Sequence, residues 1–182
     1  MDVTTQLVTI AAVVLGALTT YFANYLTERS QHQRQLRFRW DERKLDAYAA
    51  YVGRVRSCIY AAVLLYQAGQ GVQTVARPES ELVLALTEAD SQRVLAFERV
   101  MLLADESVID VAHAVNEALA VIDWTARGIR TYTSEEWRQF HERVFAEINR
   151  FHLVARLDLK VPGQFANDQH SARGLIRPDT RP

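Results

Sequence analysis

Apolar residues recur along this chain with helical spacing, and no stretch shows strand-type alternation over a useful length. The first pattern is a run with no charged residue, from 3 to 27, whose centre reads LVTIAAVVLGALTTYFANYL. As a helix its roughly 24 residues cover about 36 Å, enough to cross a hydrocarbon core with some tilt. Lipid offers a backbone no hydrogen-bond partners, so such a run predicts a transmembrane helix. From Leu45 the pattern becomes Leu45, Tyr48, Val52, Val55, Ile59, Val63 and Tyr66, a heptad seam of the coiled-coil type on one helix face. No proline falls before Pro78. The membrane helix is therefore expected to continue, with or without a kink, to about Gln67, where Gly69 and Gly71 break it.

Three more helices follow. One starts at Pro78, which suits a first helical position, and runs to about Ala104 with Val83, Leu86, Val94, Phe97 and Met101 on its core face. Asp105 is a good N-cap for the next, from Glu106 to about Arg127, with Val108, Val111, Ala112, Val115, Leu119 and Ile122 inward and Gly128 ending it. Thr133 and Glu136 make a capping box for the last, whose stripe is Trp137, Phe140, Val144, Ile148 and Phe151. Short connections favour antiparallel neighbours. The predicted fold is all-α, an N-terminal transmembrane helix continuing into an up-down antiparallel bundle of about four helices. Its divisions are an anchor over 1–27, a basic juxtamembrane helix over 28–44, a cytoplasmic bundle over 45–160 and a flexible tail over 161–182. The tail holds three of the four prolines.

Charge sharpens this picture. Net charge is −1, but residues 29–44 carry six basic and two acidic side chains. This collar is Arg29, Arg34, Arg37, Arg39, Arg43 and Lys44. With no Lys or Arg before the apolar run and six just after it, the C-terminal side is expected in the cytoplasm and the N-terminus outside, single-pass in the cell membrane. A cleaved signal peptide fits poorly, because MDVTTQ has no basic residue, the run is too long, and Tyr21, Phe22 and Tyr25 stand where small residues would be needed. Two roles fit the collar equally, setting topology and attracting anionic lipid. Within the apolar run, Thr9, Ala12, Gly16, Thr20 and Ala23 form one small-residue stripe, the kind that lets helix backbones approach in lipid. That stripe suggests packing on a second copy or another membrane protein.

Candidate chemistry is sparse. Asp110, His113 and Glu117 have the spacing of half a di-iron bundle motif, but they point away from the apolar stripe and no second pair exists. His141 and His152 stand about 16 Å apart along one helix, too far to share a metal. Arg56 lies on the first seam and Asp90 on the apolar face of the second helix. With a hairpin turning near residue 73 they reach the same level and are a candidate interior ion pair; the alternative is that Arg56 extends out to solvent and Asp90 marks a helix break. Cys58 is the single cysteine, so intramolecular disulfides are excluded, and it reads as a small apolar residue. No phosphate-binding loop, dinucleotide fingerprint, nucleophile elbow or zincin motif is present. No catalytic, cofactor or metal residue is therefore assigned, and nucleic acid is not an expected partner, because the basic residues stand where lipid headgroups would be.

The segment RFRWDERKLDAYAAYV, following an N-terminal anchor, resembles the Arg-rich collar of small single-pass membrane proteins common in actinobacterial genomes. The stretch LAFERVMLLADESVIDVAHAVNEAL is similar to their later helices. The resemblance implies membrane placement and a helical fold, and carries no activity or site residue. The expected function is a membrane-anchored helical interaction protein, scaffold or accessory subunit without catalysis. Its partners would be membrane lipids and itself or another membrane protein. The alternatives are a regulator that senses anionic lipid and, behind it, a bundle metalloprotein or enzyme.

Overall fold

The computed structural model describes residues 3–71 and 76–163, with side chains from Arg39 onward and, before it, only at Gly16, Thr19 and Tyr21. Four helices carry these residues, and no strand occurs among them. They are α1 (Val3–Gly69), α2 (Glu79–Leu103), α3 (Glu106–Ala126) and α4 (Ser134–Asp158). The chain divides into two units, Met1–Glu42 and Arg43–Pro182. In the first, Gly16, Thr19 and Tyr21 are exposed, as are Arg39 and Trp40. Among the described residues no helix is long and apolar enough to cross a membrane. Most of the expected anchor lies outside the described side chains, including Thr9, Ala12, Thr20 and Ala23 of its stripe, as do Arg29, Arg34 and Arg37 of the collar and the tail beyond residue 163.

The second unit is an up-down bundle, and its cross-helix contacts fix the directions. On α1, Tyr48 and Tyr51 meet Phe151 of α4 with ring centroids 5.7 and 5.2 Å apart, while Tyr66 stacks on Trp137 at 4.0 Å, so α1 and α4 run antiparallel. Tyr51 also reaches Ala112 and Asn116 of α3, and Lys44 reaches Asp105 just before it, so α1 and α3 run parallel. Arg93 meets Asn116 and Thr87 meets Arg127, which sets α2 antiparallel to α3. The last two helices pack extensively on each other, whereas α2 meets α3 far less.

Local chemistry explains the helix ends. Pro78 is the N-cap of α2 at φ −66°, one position earlier than its expected place, and Glu79 and Glu81 put negative charge at the positive end of the helix dipole. Thr133 and Glu136 form the expected capping box, with Thr133 Oγ1 accepting from the Glu136 N–H and the Glu136 carboxylate accepting from the Thr133 N–H. After α3, Gly128 takes φ 68° and the Ile129 N–H reaches back to the Trp124 carbonyl, a Schellman end that needs a left-handed residue. The same closure after α4 falls on Lys160, at φ 54°, with the Val161 N–H donating to the Arg156 carbonyl. A side chain in that region costs about 1 kcal/mol that glycine avoids. Lys160→Gly is therefore expected to raise stability by roughly 1 kcal/mol in a urea titration; an unchanged or lower midpoint would show that the turn carries no strain.

The buried faces agree with the pattern on α3 and α4, widen it on α1 and correct it on α2. All six expected residues of α3 are buried, and on α4 Trp137, Val144, Ile148 and Phe151 are buried with Phe140 partly so. On α1 the expected Tyr48, Val55, Ile59 and Val63 are buried and Val52 and Tyr66 partly so; Tyr51, Cys58, Ala62 and Leu65 join them, while Leu45 is more than half exposed. On α2 the core face is Leu82, Leu86, Ala96 and Val100, and the expected Val83, Val94 and Met101 stand at the surface. This helix is apolar on two sides. The sequence pattern alone offers both sides as core, and packing against α1 and α3 selects one.

Candidate functional site

Three polar clusters and one apolar face are the features a partner or ligand would meet. The first cluster lies where α1 enters the bundle. Lys44 Nζ donates to both oxygens of Asp158 at 2.8 and 3.0 Å and to Asp105 Oδ1 at 3.2 Å. The Tyr48 hydroxyl donates to Asp158 as well, at 2.5 Å. The Asp158 side chain is 3% exposed and Lys44 17%, so this is a largely buried charge pair with satisfied geometry. Burial pulls the Lys44 ammonium down, but its hydrogen bonds to Asp158 and Asp105 and their charges outweigh that, leaving its pKa above the ordinary lysine value. Burial, and then Asp158, push the Tyr48 phenol up, so it stays a donor.

This cluster corrects the collar. Lys44 points into the bundle rather than toward the surface, whereas Arg39 and Arg43 are exposed. Asp105 does stand at the N-cap of α3 with extended backbone, but its side chain makes no capping hydrogen bond and accepts from Lys44 instead.

The second cluster lies between α1, α2 and α3. Asn116 Oδ1 accepts from the Tyr51 hydroxyl at 2.8 Å and from Arg93 Nη1 at 2.7 Å, and Arg93 donates from its other two nitrogens to Asp90 at 2.9 and 2.8 Å. The interior pair expected between Arg56 and Asp90 is therefore absent: Asp90 pairs with Arg93 one turn away on its own helix, and Arg56 is exposed on α1. An i, i+3 partner needs no tertiary placement and is always within reach. A surface recess of about 160 Å³ opens beside this network, lined by Asp90, Arg93, Asn116, Asp123 and Trp124. Its charges are already paired, Arg93 with Asp90 and Asp123 with Arg127, so it presents little uncommitted charge to a ligand. Cys58, buried behind it, has a thiol that burial pushes up to about 12, which keeps it protonated and unreactive at neutral pH.

The third cluster is at the other end of the bundle. His141 Nδ1 lies 2.9 Å from the Trp137 carbonyl and so carries the proton, while His141 Nε2 and Trp137 Nε1 are buried without hydrogen-bond partners among the described residues. Burial holds the His141 imidazole below the ordinary histidine value of 6.5, against the smaller opposing effect of the Trp137 carbonyl. The unfolded chain therefore takes up a proton as pH falls through 6.5 while the folded one does not, and stability present above that pH is lost below it. The Tm of the wild type is expected to drop more steeply between pH 7 and 5 than that of His141→Asn. Parallel profiles would show that another group sets the acid limb.

Asp110, His113 and Glu117 are each exposed on α3, and the His113 ring packs edge-on against Phe97 at 5.1 Å. His152 is partly buried on α4. Among the described residues no group of three or more His, Cys, Asp or Glu is placed to hold a metal ion.

The apolar face is the outer side of α2. Leu84, Leu95 and Leu102 are 68%, 62% and 82% exposed, with Val83, Val94 and Met101 beside them at more than a third. Singly exposed leucines are ordinary; here three stand in a line along one helix. The recess beside Asn116 and this face are new with the structure. The one signal in the sequence was the low contrast of α2, where leucines occur on both sides. No known protein family, curated protein or solved structure matches this chain.

Proposed function

We propose that this protein is a membrane-anchored helical interaction module, a scaffold or accessory subunit without catalysis of its own. The exposed apolar face of α2 is the observation that carries the reading, because a helix that leaves leucines in water on a bundle of this size is built to meet another surface. The charge-free run over 3–27 and the arginines after it supply the anchor, with the bundle on the cytoplasmic side. The polar clusters support a structural rather than a chemical role, since their charged groups are occupied by one another. The test is to express the full chain, float membranes on a density gradient, and extract it in mild detergent for light scattering and mass spectrometry. Flotation with lipid and recovery as a defined homo-oligomer or a stoichiometric complex are expected. A chain that stays with soluble protein sinks the anchor, and a solitary monomer sinks the interaction role.

A second reading has the collar sensing anionic lipid, each arginine near the surface contributing about 1 kcal/mol. Lys44 is taken up by Asp158, so the arginines alone would do this. Replacing Arg29, Arg34, Arg37, Arg39 and Arg43 by Gln would then weaken binding to anionic vesicles much more than to neutral ones. Equal binding to both excludes it.

A further inference from the structure

Two copies of this chain, we infer, pair in parallel along the outer face of α2, with Leu84, Leu95 and Leu102 packing on the same residues of a second copy. The inference deepens the interaction reading above and rests on it. At 100° per residue, Leu84 and Leu102 share one line, Leu95 lies 20° from it and the small Ser91 20° to the other side. Parallel pairing about that line gives three leucine-on-leucine layers, whereas the antiparallel register that pairs Leu84 with Leu102 sets Leu95 against Ser91 and keeps only two.

Charge selects the same partner. Arg99 lies about 60° to one side of the line and Glu98 about 40° to the other. In a parallel pair opposite flanks meet, so Arg99 of each copy faces Glu98 of the partner subunit at the same level, twice by symmetry. At that level the face is complementary to itself, while Glu88, about 40° toward the Arg99 side, meets only neutral side chains.

Its length says where the pairing occurs. From Leu84 to Leu102 the seam runs about 27 Å, which is short for two helices to hold alone in dilute solution. A membrane tether removes that difficulty, because two chains confined to one surface meet at a high effective concentration. A tethered dimer is accordingly the state this face fits.

The experiment uses the full chain in its membranes with Leu95→Cys, mild oxidation and a non-reducing gel. The native Cys58 is buried and stays silent, so the parent chain and Tyr60→Cys on exposed α1 serve as controls. Leu95→Cys is expected to give a cross-linked dimer that neither control gives. Adding Leu102→Arg, at a position 82% exposed and so harmless to the fold, should lower the cross-linked fraction about tenfold. No cross-link at Leu95→Cys, or the same yield with Leu102→Arg, overturns the pairing. Flotation of the same sample separates the two ideas: a floating chain that fails to cross-link keeps its anchor and loses this seam, and a cross-linking chain that does not float does the reverse.

Discussion

Asp158→Ala is expected to destabilise the bundle by about 3 kcal/mol, the lower end of the cost of stranding one charge of a buried pair, because the exposed Asp105 stays to hold Lys44. Asp158 accepts three hydrogen bonds, two from Lys44 and one from Tyr48, and its removal leaves both donors facing a largely dry pocket. Three elements meet there, α1, α4 and the start of α3, so the loss reaches every helix that Lys44 ties together. Chemical denaturation of the full chain in detergent, followed by far-UV circular dichroism, measures it. A companion variant discriminates the cause. Lys44→Met with Asp158→Leu replaces the pair by apolar groups of similar size and should recover most of the stability, since a buried ion pair gains little over well-packed hydrocarbon. If the double variant is as unstable as Asp158→Ala, the charge pair is not the reason.

Phe151→Ala should cost still more, about 4 kcal/mol, by the lost transfer energy of the ring and the cavity it leaves. Phe151 is 1% exposed and stands against both Tyr48 and Tyr51, so one ring supports the residues that carry the two polar networks. Its loss frees Tyr48 from Asp158 and Tyr51 from Asn116 at once, and the effects of Phe151→Ala and Asp158→Ala should therefore fall short of adding. Additive losses would mean that ring and carboxylate act independently. Phe151→Leu, which keeps most of the volume, is the milder control and should cost less than half as much.

The faces of α3 and α4 were legible in the sequence because each has a single apolar stripe set against charged residues, and a capping box marks the start of α4. On α1 the pattern marks Tyr48, Val55, Ile59 and Val63 but not Tyr51, an amphipathic residue whose hydroxyl is buried only because Asn116 and the Ala112 carbonyl receive it. Periodicity could not choose between the two sides of α2, because Leu82 and Leu84 are equally apolar and only tertiary contact separates them. The Asp158 cluster was illegible for another reason. Its charge pair lies in RFRWDERK and ARLDLK, segments that read locally as solvated helix ends, and nothing short of the folded topology brings Lys44 to Asp158. Arg56 and Asp90 failed for the converse reason, as a local partner at Arg93 outcompetes a distant one at equal charge.

That closure by α4 also sets a clock. Lys44 and Asp158 are 114 residues apart in the chain. At a synthesis rate of about 5–20 residues per second, roughly 6–23 s pass between the making of one and of the other. Throughout that interval Tyr48, Tyr51 and Val55 exist without the helix that covers them, while α3 and α4, joined by a short loop, can pair as soon as both have emerged. The newborn chain therefore spends seconds with its first core seam open, and a chaperone or an early-arriving second chain has that long to reach it.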